Sequence, residues 1–164
     1  MSIFEICQWI QTSSIGTQIR ESTYMFPIIE GTHVLGLAVS VGTITLVDLR
    51  LIGATMRDEP VTDVIEQLQP YTLAGFVSMF ISGSLLFWSE AARLYPSYPF
   101  RIKMICLFLL GVNALFFHST IYKTVDKWNK SAITPIRARM AGWVGITFWA
   151  VVIFFGRWTA YNLK

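Results

Sequence analysis

Charged side chains are scarce in this chain: Asp, Glu, Lys and Arg make up 14% of its 164 residues, against about a quarter in soluble domains. With 54% of the residues apolar, a soluble domain of this size could not hide its hydrophobic surface, because small domains keep too much of it outside. Lipid is the natural solvent for the excess. The net charge is only +3, and the basic residues flank apolar runs instead of forming a stripe, which argues against a nucleic-acid partner. There are only two cysteines, Cys7 and Cys106. They lie far apart with no metal-type spacing, so a disulfide framework and a zinc site are both excluded, and they read as small apolar residues. Met1–Thr12 holds Glu5 and no Lys or Arg, so no cleavable signal peptide is expected. Sustained period-two alternation is missing, which rules against a β-barrel. No nucleophile–base pair, phosphate loop or carboxylate dyad appears, which points away from an enzyme.

Long apolar runs are present. A bilayer core needs roughly 20 apolar residues per helix, and four stretches meet that demand, at about 28–53, 71–89, 104–122 and 140–158. Polar connectors separate them: Arg57-Asp58-Glu59-Pro60, then Glu90 to Lys103 with Pro96 and Pro99, then Lys123 to Arg139 with Pro135. The expected fold is all-α, a single transmembrane domain built as a four-helix bundle in the lipid bilayer. Residues 1–27 form an interfacial segment, since Ile3, Cys7 and Ile10 share one face of an N-terminal amphipathic helix flanked by Phe4, Ile6 and Trp9. A loose tail is the alternative. Small residues recur at helix-packing intervals, namely Gly36 with Ser40, Ser78 with Ser82, Gly111 with Ala114 and Gly142 with Gly145. Trp88, Trp143, Trp158, Tyr71, Tyr122 and Tyr161 fall near the ends of the spans, where an aromatic belt lies.

Four spans put both termini on one side, here side A, together with the second loop. Side B holds the first and third loops. The third is the densest basic stretch, with Lys123, Lys127, Lys130, Arg137 and Arg139, so side B is assigned to the cytoplasm and both termini to the periplasm.

Ionisable residues inside the spans are costly there and are the candidate site residues. Toward side A, Glu30 and His33 share a helical face, and Arg157 on the fourth span is placed to pair with Glu30. Toward side B, Asp48 and Arg50 close the first span and His118 closes the third, with Arg137 and Arg139 as candidate partners for Asp48. Gly36 and Ser40 continue the His33 face, and Gly111 with Ala114 continues that of His118, so both histidines are expected to point inward. Imidazole ligates haem iron or copper, which makes His33 and His118 candidate metal ligands and Glu30, Arg157 and Asp48 candidate supports for a cofactor. The two histidines sit near opposite ends of spans that run the same way, a depth difference of roughly 15–20 Å. They are therefore expected in separate sites. Each also has a structural reading: the charges as interhelical ion pairs, the histidines as hydrogen-bonding groups at helix ends.

The stretch Pro27-Ile-Ile-Glu-Gly-Thr-His33-Val-Leu-Gly36, with Gly42 and Asp48-Leu-Arg50-Leu-Ile-Gly53, resembles a family of small bacterial inner-membrane proteins known as a domain of unknown function. Phe100-Arg-Ile-Lys103, Asn113-Ala-Leu-Phe-Phe-His118, Trp149 and Gly156-Arg157-Trp158 extend the resemblance over nearly the whole chain. More distantly the chain is similar to the membrane domain of copper-resistance protein D, which implies copper handling, although a methionine-rich ligand cluster is missing. Three functions remain open. The first is a non-catalytic inner-membrane subunit or scaffold of a larger complex or homo-oligomer. The second is a haem- or copper-binding protein using His33 or His118, and the third is a small transporter or quinone-linked redox partner.

Overall fold

In the computed structural model the described residues, 2–131 and 133–162, form six α-helices and no strand. They are α1 (Ile3–Thr12), α2 (Ser14–Glu21), α3 (Met25–Ile52), α4 (Val61–Leu94), α5 (Tyr98–Phe116) and α6 (Ile136–Asn162). Beyond Phe116 the fifth helix widens into a π turn over Phe117–Ile121 and then tightens into a 3-10 turn over Tyr122–Lys127. The four helices from α3 onward are long and apolar enough to cross a membrane.

Their limits differ from the apolar runs for local reasons. The polar first turns of α4 (Thr62, Asp63, Glu66, Gln67) read as connector by hydropathy, yet Val61 and Val64 are buried and the helix runs through Pro70. Pro99 lies in the first turn of α5, where its missing N–H has no helical partner to lose. α3 ends at Gly53, whose φ of 81° lets its N–H and that of Ala54 close back on the carbonyls of Arg50 and Leu49. That left-handed position suits glycine.

Residue pairing shows the helices to be antiparallel neighbours. His33 meets Ser82 and Thr43 meets Thr72 across α3 and α4. Asp48 meets Gly145 across α3 and α6, while Asn113 meets Ala141 and Lys103 meets Gly156 across α5 and α6. Glycine sets the closest approaches. A Cβ on Gly36 would sit 3.0 Å from the Gly75 carbonyl oxygen, and one on Gly75 would sit 2.8 Å from that of Gly36. One on Gly142 would lie 2.8 Å from the Asp48 carbonyl oxygen. The pairing of Gly111 with Ala114 as a packing face is not realised: both are exposed, and a Cβ on Gly111 would meet nothing within 4 Å.

The N-terminal segment holds two helices rather than one; Met1 lies outside the described residues. A capping box opens α1, with the Ser2 N–H donating to Glu5 Oε2 (2.8 Å) and the Glu5 N–H donating to Ser2 Oγ (3.2 Å). Both helices pack on α4. The helical path breaks at Glu90 (φ −129°, ψ 21°), and Gln11 accepts from the Ala92 N–H at 2.8 Å. Trp88 Nε1 donates to Ser13 Oγ at 2.8 Å. The face expected from Ile3, Cys7 and Ile10 is divided by this docking, since Cys7 is buried whereas Ile3 and Trp9 remain exposed.

Candidate functional site

α4 and α5 leave a common turn and touch near it through the stacked rings of Phe87 and Phe100, 5.8 Å apart. Toward side B they part, because each packs on a different helix: α4 on α3, and α5 on α6. The space between them is a cavity of about 470 Å³. α3 and α6 supply its floor through Asp48, Leu51, Gly145 and Trp149, while Leu73, Gln69, Gly111 and Ala114 stand exposed at its edge. Phe76 and Trp149, with centroids 6.0 Å apart, close its inner end. Toward side B lie the packed Leu51, Val61, Phe117, Ile121, Val125 and Trp128. The exposed lining residues Gln69, Leu73, Gly111, Ala114 and His118 all come from α4 and from α5 with its π turn, so the mouth faces sideways, between the two helices.

Five polar side chains line this cleft: Asp48, Gln69, Thr72, Asn113 and His118. Thr72 is engaged with Thr43 at 2.7 Å, and Asn113 Nδ2 donates to the Ala141 carbonyl at 3.1 Å, which leaves the Asn113 amide oxygen for the cavity. The helix registers put Asp48 and Gln69 at nearly one depth, Asn113 about a turn nearer side B, and His118 more than a turn beyond Asn113. Asp48 is buried to 7% exposure, and its Oδ2 has no hydrogen-bond partner. Its carboxyl lies against Gly145, where any Cβ would collide with it. Most buried polar atoms find a partner, so this exception stands out.

Arg50, two residues on, is fully buried and turns away from the cavity, donating from Nε to the Glu59 carbonyl (2.8 Å) and from Nη2 to that of Ser131 (3.4 Å), while its Nη1 has no partner among the described residues. Those bonds tie the first and third loops to α3. Thr134 adds a hydroxyl bond to the Leu51 carbonyl, and the Asn129 side chain joins Thr62. Arg50 is a structural residue.

A second polar group lies at the side A end. His33 Nδ1 is 3.0 Å from Ser82 Oγ, whose hydroxyl is 2.5 Å from the Ser78 carbonyl. Since the hydroxyl donates to that carbonyl, the imidazole donates to Ser82 from Nδ1 and keeps its lone pair on Nε2. Gly83 makes room for the ring, as a Cβ there would sit 3.0 Å from His33 Cε1. Lys103 lies toward the same end, against Gly156 of α6.

Several expectations need correction. Among the described residues the ion pairs are Arg20–Glu21 and Arg93–Glu90, so neither Glu30–Arg157 nor Asp48 with Arg137 or Arg139 is formed. Glu30 is exposed, and the Arg157 guanidinium instead lies over the Tyr161 ring at 6.0 Å. Both long side chains sit at helix ends where solvent competes for them. His118 does not pack inward; it is exposed on the π turn, its ring 5.4 Å from Phe117 and 5.5 Å from Tyr122. His33 and His118 stand at opposite ends of the helices, and among the described residues no three His, Cys, Asp or Glu side chains converge as a metal site would require. Reading charge alone missed Gln69, Thr72 and Asn113. Asn113 was the most visible of them, a lone amide inside an apolar run.

These features define an all-helical protein with four helices of membrane-crossing length around a sideways-facing polar-floored cleft. The chain belongs to a family of unknown function (DUF6644), whose model matches residues 6–162. No curated protein and no solved structure matches it, so the likeness to copper-resistance protein D, and the copper handling it implied, is without support.

Proposed function

We propose that this chain is a non-catalytic, multi-pass membrane protein, a four-helix bundle of the bacterial inner membrane that binds a lipophilic small molecule in the cleft between α4 and α5. The Asp48 carboxyl, unpartnered among the described residues at the floor of a mostly apolar cavity, carries this reading. Binding sites are typically concave and mostly apolar with a few convergent polar groups, and ionisable groups at membrane depth are functional sites by default. Because the mouth faces sideways, the ligand enters from the bilayer. The haem or copper alternative has His33 Nε2 and the exposed His118 as isolated donors, and neither has further ligands gathered beside it.

The test uses a neutral aryl-diazirine photolabel on protein purified into lipid nanodiscs. Saturable labelling should map to the facing sides of α4 and α5, and Gly111→Phe, which fills the cleft, should abolish it. Labelling spread evenly over the lipid-facing helices, unchanged by Gly111→Phe, would refute the site. We also assign side B to the cytoplasm on its basic third loop. Cysteines placed at Lys130 and Arg101, in a chain with Cys7 and Cys106 replaced by alanine, should react with an impermeant maleimide from the cytoplasmic and periplasmic sides respectively. The reverse pattern inverts the topology.

A further inference from the structure

We infer that the ligand of this cleft is a lipophilic cation, an amphiphile whose positive charge is neutralised by Asp48. The inference rests on the reading of the cleft as a binding site and narrows it to a ligand class.

Its basis is a buried carboxyl without a counter-charge. Asp48 is more than nine-tenths buried and makes no ion pair or side-chain hydrogen bond among the described residues. Among the described residues no Lys or Arg lines the cavity, and its one basic side chain, His118, stands exposed toward side B. The arginines nearest Asp48 in sequence or facing it from α6 are turned elsewhere. Arg50 is spent on the Glu59 and Ser131 carbonyls, Arg57 bonds the Gly53 carbonyl, and Arg137 and Arg139 are exposed on the first turn of α6. Lys103 lies at the other end, against Gly156. A buried acid without a counter-charge either keeps its proton or bears the cost of a buried charge, and a cation in good geometry favours the ionised form and relieves that cost. The fold supplies no such cation, so a cationic ligand is the partner that this carboxyl fits.

The walls agree with this assignment. Phe76, Phe117 and Trp149 line the cavity, and aromatic faces attract cations, most strongly where water is excluded. An anionic head group would find a carboxyl and no Lys or Arg. A neutral ring would leave Asp48 as unbalanced as before. A volume of about 470 Å³ falls in the range of pockets that enclose drug-sized molecules. The sideways mouth requires a cation able to partition into lipid.

The experiment pairs tetraphenylphosphonium with triphenylphosphine oxide, a neutral molecule of similar shape, on the nanodisc protein. Tetraphenylphosphonium should bind saturably and protect the cleft from the neutral photolabel. Asp48→Asn, which keeps size and shape beside Gly145, should weaken its binding at least tenfold. In the parent the phosphine oxide should bind at least tenfold more weakly than tetraphenylphosphonium. If the photolabel still marks the cleft but tetraphenylphosphonium does not protect it, or binds Asp48→Asn as tightly as the parent, the cation assignment is wrong and the cleft takes neutral molecules. If the photolabel fails to mark the cleft in the parent, the binding reading itself falls. A melting temperature of Asp48→Asn level with or above the parent's separates loss of the charge from loss of the fold.

Discussion

Glycine edges both the α3–α4 interface and the α4–α5 cleft, with opposite results. At Gly75 an added Cβ would press on the Gly36 carbonyl and the Ser40 backbone at 2.8 Å, whereas at Gly111 it would meet nothing within 4 Å. In the first case glycine lets two backbones touch, and hydrogen bonds from Ser40 to Met79 and from His33 to Ser82 cross the contact. In the second it leaves a wall open. Helices in lipid associate through close packing rather than through exclusion of water. A pair of helices that do not pack closely therefore leaves a gap, which lipid or a ligand fills. Spacing of small residues thus does not distinguish a contact from a cavity. What distinguishes them is whether the facing helix also presents small residues, as α4 does toward α3 and does not toward α5.

The strongest way to break the comparison is to fill the tight interface. Gly75→Val would drive two methyl groups into the α3 backbone, and overpacking of this kind costs about 1–3 kcal/mol, more where backbone is struck. A lowered melting temperature in detergent, or loss of folded protein, is expected. An unchanged melt would mean that α3 and α4 do not pack as described. Next in size is the contrast between the two buried ionisable residues of α3. Arg50→Met should cost about 2–3 kcal/mol, because it removes hydrogen bonds from a charged donor and strands two loop carbonyls. Asp48→Asn, which removes no hydrogen bond, should leave the melting temperature unchanged or raise it. Equal losses in the two variants would show that Asp48 has a structural partner after all.

The all-helical class and the number of membrane-length helices were legible in the sequence, because about 20 uninterrupted apolar residues leave few alternatives. The helix limits were less so. Hydropathy marks where lipid ends, whereas α4 continues for three turns of polar residues that need only helical hydrogen bonds. The side A group was half visible: His33 was singled out, yet its partner Ser82 comes from another helix, and no local spacing brings the two together. Opposite charges also misled. Glu30 and Arg157 looked like partners because both are charged and share a side, but exposed pairs gain too little to hold two long side chains in place. At the cleft, Asp48 was flagged for its charge. That it lacked a counter-ion depended on where Arg50 points, a property of the loops rather than of the span.

Gly111→Phe sharpens the comparison from the open side. Replacing a mid-helix glycine removes a penalty of up to about 1 kcal/mol, and the added ring enters empty space, so the melt should rise slightly or stay level while cleft labelling disappears. A marked fall in stability would mean that Gly111 is packed and the cleft closed.

The smallest expected effect separates the two histidines. His33 makes a side-chain hydrogen bond to buried Ser82, and a neutral bond of this kind contributes about 1 kcal/mol. His118 makes none among the described residues and is exposed beside Phe117 and Tyr122. His33→Ala should therefore lower the melting temperature by a few degrees, and His118→Ala should leave it unchanged. Labelling should respond in the reverse order. His118 lines the cavity, so its removal enlarges the space near side B and should shift the mapped photolabel toward Phe117, whereas His33→Ala leaves the cleft pattern intact. Metal content measured on the same three preparations adds an independent reading. A metal present in the parent and lost in one variant alone would assign that histidine as a ligand and move the functional site to its end of the helices. Loss in both variants together would contradict the antiparallel registers, which hold the two rings at opposite ends of the spans.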